Sequence, residues 1–266
     1  MSIFDDENAS FINILLSRYS ALFPDMERIT VNITVTDNLN KTHAEIRPDL
    51  ADYLIEKNPQ SDYNGRLVLP INTNETSSIL LNRRKIEEYT LDGSMTWIGT
   101  LAHEYTHAVD YHQMAELKGI KRYDDMEAAP FFMMFYQWTE YHARKKGYMF
   151  LRSVLEETGN LPGYRNQVNN ILEFELPQQT MRFLNDYNLG APNERLYLTM
   201  QYLGRFSVWM DLFADTFGYD EFKKHCMNAV WMVDLLMFLR EHETLYSIND
   251  HFEEMKSILS QNWSFA

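Results

Sequence analysis

The chain has 266 residues, a formal net charge of −14 and one cysteine, Cys226. The excess of 38 Asp and Glu over 24 Lys and Arg excludes a nucleic-acid binder, because gripping a polyanion takes a concentrated positive surface, and the basic clusters at 83–85 and 144–146 are short. A single cysteine excludes an internal disulfide framework and any cysteine-based zinc cluster, while 45% apolar and 14% aromatic residues exclude disorder as the dominant state.

The first ten residues are acidic where a signal peptide is basic and then apolar. No run approaches the ~18 apolar residues that cross a bilayer. The most apolar stretch, 229–239, is too short and carries Asp234. A cytoplasmic protein with no membrane or nucleic-acid partner is expected.

In chain order, residues 6–22 predict a first helix, with Phe11, Ile14, Leu15 and Leu22 near helical spacing and Pro24 ending it. Ile29, Val31, Ile33 and Val35 then alternate with polar residues, the pattern of a half-buried strand. Asp37-Asn38 reads as a turn with a return strand over 42–46. A short helix is expected over 49–57, and strands over 65–71 and 77–81. Beyond Ser94, taken as the N-cap of a helix running to Met114, strand signals nearly vanish. Pro130 suits the first turn of a helix to Lys146. Further helices are expected over 148–158, 165–187, 194–215, 219–242 and 248–260, with Pro177 kinking or breaking one of them. The fold class is α+β, mostly helical. The apolar stretches 196–217 and 222–239 read as helix–helix core rather than a binding groove, and Cys226 as buried.

The informative segment is 97–112, WIGTLAHEYTHAVDYH, which contains His103-Glu104-Tyr105-Thr106-His107. On a helix, residues four apart sit one turn apart and about 40° apart in azimuth, so both imidazoles can reach one metal ion. Glu104 lies about 100° round from His103, where it can reach a metal-bound water and act as general base. Ile98, Leu101, Ala102, Tyr105, Ala108 and Val109 form an apolar stripe beside the histidines. Asp110, about one turn beyond His107, could accept that ligand's second N–H.

A catalytic zinc takes three protein ligands and one water. A metzincin-type third histidine is absent, since Gln113 stands there, and His112 faces away. Glu116, Asp124, Asp125, Glu127 and Glu140 remain. Glu140 is the best of these, because it stands in an otherwise apolar and aromatic helix, 33 residues after His107, where a buried carboxylate needs a partner. An ion pair with Arg144 at i+4 is its structural alternative. The other four read as solvated, and His142 as structural.

Residues 103–111, HEYTHAVDY, resemble the zinc-binding helix of thermolysin-like gluzincins, and Glu140 in WTEYHAR resembles the glutamate helix of that clan. The layout is most similar to minimal gluzincin domains and to H-E-x-x-H peptidases of prophage immunity regions, over about residues 28–146. The resemblance implies one zinc ion held by His103, His107 and Glu140, Glu104 as base, a peptide or protein substrate, and a strand at 77–81 that could pair with it. It implies a zincin-like core over 1–147, with a sheet packed on the active-site helix, and a helical subdomain over 148–266. This sequence departs from the clan in carrying Arg144 where an Asp follows the glutamate by one turn, and in a one-residue shift of the Asp after the second histidine. Tyr111, Tyr148, Tyr164 and His225 are the choices for an oxyanion-stabilising group. The expected activity is hydrolysis of peptide bonds, and the alternative is a catalytically silent, metal-binding interaction module.

Overall fold

The computed structural model describes residues 6–56, 63–225 and 230–262. The fold is α+β and mostly helical, with one three-stranded sheet among the described residues. The chain divides into two compact units, Met1–Ala128 and Ala129–Ala266. Cys226 lies outside the described residues.

In the N-terminal unit, α1 (Asp6–Leu22) precedes β1 (Asn32–Thr36). The buried face of α1 is Ile12, Leu15 and Tyr19, so the expected stripe is corrected: Phe11, Ile14 and Leu22 are exposed. The expected return strand over 42–46 is instead helix α2 (Leu39–Ile46). Asn38 accepts a hydrogen bond from Lys41 N at 2.9 Å and so caps that helix instead of turning a hairpin. A 3-10 turn and α3 (Ala51–Glu56) follow, then β2 (Gly65–Val68) and β3 (Ser78–Asn82). Asn82 caps α4 (Arg83–Leu91), a helix the sequence pattern gave no sign of. The unit closes with α5 (Thr96–Lys118) and α6 (Tyr123–Glu127).

The strand order is β1-β3-β2, with β1 parallel and β2 antiparallel to β3. Every residue of β3 is buried, as a central strand covered on both faces requires. Leu80 packs with Val68 and Leu39 of α2. Leu81, which points to the opposite face, lies with Gly65 and Thr100 of α5. The sheet is therefore sandwiched between α2 and α5.

In the C-terminal unit, α7 (Phe132–Glu157) is one 26-residue helix, so the separate helices expected to 146 and over 148–158 are continuous. Tyr164 to Leu189 also form one run: α8 (Tyr164–Asn170), a π-turn (Ile171–Glu175) and α9 (Leu176–Leu189). Pro177 cannot donate to the carbonyl four residues back, and the helix widens just before it instead of breaking. Then come α10 (Pro192–Leu212), α11 (Tyr219–His225), α12 (Val230–Glu241), α13 (Leu245–Asn249) and α14 (Phe252–Ser260). Helices α7 and α10 meet at Gly204, where a Cβ would fall 2.6 Å from the Tyr141 carbonyl oxygen. Buried Lys145 pairs with Asp211 at 2.7 Å and with Glu243, and Arg240 pairs with Asp211 at 2.7 Å, tying α7, α10 and the end of α12 together. No helix among the described residues is long and apolar enough to cross a membrane.

Candidate metal centre on the HExxH helix

Helix α5 begins after Met95, a non-glycine residue in the left-handed region (φ 51°), and ends at Gly119 (φ 65°). It starts at Thr96 and runs four residues past the expected Met114. The apolar stripe is buried as expected, from Ile98 to Val109.

Two residues inside the motif set the helix's rotation. Tyr105 Oη donates to the Ile29 carbonyl at 3.0 Å and accepts from Ile29 N at 3.1 Å. Thr106 Oγ1 donates to the Ala102 carbonyl and shares a 2.6 Å hydrogen bond with Tyr19 Oη of α1. The Tyr19 ring meets Tyr105 edge-on, and burial pushes its hydroxyl pKa well above the usual value. Both contacts lie on the side of the helix turned to α1 and residue 29. They leave His103, Glu104 and His107 on other faces.

The His103 and His107 rings are nearly perpendicular (89°), with their Nε2 atoms 3.1 Å apart. A tetrahedral zinc ion with bonds of about 2.0–2.1 Å asks for nitrogens roughly 3.3 Å apart. The pair therefore fits such an ion with little movement. Without an ion, one Nε2–H can donate to the other ring.

Glu104 Oε2 accepts a 2.8 Å hydrogen bond from Leu67 N. Leu67 stands on β2, which among the described residues pairs with β3 on one side only. The close approach of β2 to α5 depends on Gly65, where a Cβ would fall 2.8 Å from Thr100 Cγ2 and 3.0 Å from the Leu80 carbonyl oxygen. The motif's carboxylate is thereby oriented by a main-chain amide of an edge strand. Strand β3 is central and paired on both sides, so the expectation that residues 77–81 could take up a substrate strand is corrected. Among the described residues the edges are β1 and β2.

Asp110 is buried on α5, one turn after His107, and its charge bears on Tyr19. Glu116 is exposed beside His112, 3.6 Å from its Nε2. Asp124, Asp125 and Glu127 are exposed, as expected, on the short helix α6. Asp124 pairs with Arg47 and Arg122, and partial burial beside Asp124 raises the Glu127 carboxyl.

Glu140 lies on α7 in the C-terminal unit and is buried (6% exposed). Its Oε2 accepts a 2.6 Å hydrogen bond from Gln201 Nε2 of α10, and Gln201 Oε1 accepts from Arg144 Nε. The carboxylate and the arginine are thus linked through an amide that fixes both. Burial, with Arg205 nearby, lowers the Arg144 guanidinium to about 10. Gln201 escapes sequence reading because a neutral amide in a helix carries no charge pattern, and Leu67 because it acts through its backbone. His142, read as structural, is buried and stacked on Trp138 at 4.7 Å.

Of the hydroxyl and imidazole groups weighed as oxyanion donors, Tyr148 donates to Glu175 at 2.7 Å and His225 pairs with Glu221 at 3.1 Å. Tyr164 is exposed against Phe213, and Tyr111 is buried against Tyr123. No protein-family model, curated protein or solved structure matches the chain.

Proposed function

We propose that the chain is a cytoplasmic zinc-dependent peptidase of the gluzincin type. His103 and His107 would hold the ion, with Glu140 as the third ligand that the resemblance implies. The observation that carries this reading is the 3.1 Å approach of the two Nε2 atoms on a helix whose rotation Tyr105 and Thr106 set. The lone cysteine supports the cytoplasmic assignment.

Zinc bound there would lower the pKa of a water and polarise the scissile carbonyl. Glu104 would take the attacking water's proton and return it to the leaving amine. Strand β2 would align the substrate, because it is an edge strand and its Leu67 amide already meets Glu104.

The test pairs metal analysis with cleavage of a broad peptide library read by mass spectrometry. Wild-type protein should bind zinc and cleave, and Glu104→Gln should keep the zinc and lose cleavage. Zinc binding with no cleavage of any peptide would favour the silent interaction module instead. Failure of His103→Ala/His107→Ala to lower zinc content would sink both.

A further inference from the structure

A second grouping of metal-ligating side chains lies wholly within the C-terminal unit. His242 follows the last residue of α12, and His251 and Glu254 flank the start of α14. One donor atom from each of the three lies within 4.8 Å of the others.

Ser247 of α13 orients both rings. His251 Nδ1 lies 2.7 Å from the Ser247 carbonyl, which can only accept, so that nitrogen carries the proton. His242 Nδ1 lies 2.7 Å from Ser247 Oγ. A histidine that spends Nδ1 on a carbonyl or hydroxyl presents Nε2 as its metal ligand. The backbone of His242 is held in turn by Trp138, whose Nε1–H donates to its carbonyl at 3.0 Å. Glu254, three residues after His251 and so on the same helix face, makes no hydrogen bond or ion pair among the described residues. Two oriented imidazoles and an uncommitted carboxylate form a donor set suited to zinc and its first-row neighbours.

We propose that His242, His251 and Glu254 form a second site, for a divalent transition-metal ion of the zinc type, that clamps the corner between α12 and α14. The His242 and His251 rings are stacked with centroids 4.0 Å apart, so their planes must splay for the nitrogens to converge. The site therefore closes on its ion as it binds.

The proposal does not rest on the peptidase reading, and the experiment separates the two. Full-length His103→Ala/His107→Ala protein, stripped with chelator, is titrated with zinc by calorimetry and its melting temperature is followed. One equivalent should bind and raise the melting temperature. Adding His251→Ala should abolish both effects. Adding Glu254→Gln, an exposed substitution that leaves the fold intact, should weaken binding by about tenfold or more. No binding in the double-alanine protein, or binding that survives both His251→Ala and Glu254→Gln, overturns the proposal. The single variant His251→Ala should still bind one zinc at His103 and His107, and loss of all zinc there would count against the peptidase site instead.

Discussion

In the N-terminal unit, His103 and His107 meet edge to face with Nε2 atoms 3.1 Å apart, whereas in the C-terminal unit His242 and His251 lie nearly parallel, 28° between planes. Sequence spacing explains the difference. The first pair is one helical turn apart on a single rigid element, so the helix itself aims both rings. The second pair is nine residues apart across a short helix, and Ser247 orients it. A pair aimed by one helix suits chemistry that needs fixed geometry, while a pair that must close suits a clamp. Only the first pair has a carboxylate between its members that is turned to a neighbouring strand.

The largest effect that could break this contrast is at Glu104. Glu104→Gln should lower kcat/KM by about 10²–10⁴-fold, the usual worth of a general base, with zinc content unchanged. Equal rates in the two proteins would leave the first pair no more catalytic than the second.

Gly65→Ala comes next. Its Cβ meets the Thr100 side chain and the Leu80 backbone, so β2 must shift. A loss of about 1–3 kcal/mol is expected in denaturant unfolding. The Leu67 amide should exchange faster with solvent as its bond to Glu104 weakens.

Tyr105→Phe removes the hydroxyl that both gives to and takes from Ile29. It should cost about 1–2 kcal/mol and weaken zinc affinity at the first pair only. An unchanged affinity would mean that rotation of α5 does not preform that site.

The smallest effect concerns His43, which belongs to neither pair. Burial, then Arg66 and Arg47, lower His43 to about 4. The folded protein keeps it neutral while the unfolded chain protonates it below about 6.5. Its stabilising contribution is therefore complete above about pH 6.5 and is lost as pH falls toward 4. After screening of a half-exposed ring this amounts to at most about 1–2 kcal/mol. Melting curves at pH 7 and 4.5 should show a steeper loss in wild type than in His43→Gln.

The HExxH helix was legible because its histidines and its packing share one helix: the histidines recur at four and the apolar residues between and beside them are buried. Helix α2 was misread because Asn38 serves equally well as a turn residue and as an N-cap, and only its bond to Lys41 N decides. Helix α4 left no pattern because Ile86 is its sole buried residue. The length of α7 was hidden by reading two helices where Gly147 is simply buried inside one. The groups that hold Glu104 and Glu140 were the least legible, since a main-chain amide at Leu67 and a neutral amide at Gln201 have no signature in a sequence.

The parallel pairing of β1 with β3 has a consequence for how the chain is made. Asn32 pairs with Ser78, 46 residues later. At a synthesis rate of about 5–20 residues per second, β1 waits on the order of 2–9 s for β3, its one partner strand among the described residues, to be made. Helices α2 and α3, whose backbone hydrogen bonds are local, can form in that interval. The β1 stretch, with Ile33 and Val35, stays an unpaired apolar edge until β3 arrives. The sheet therefore cannot close until the chain has been made through Asn82.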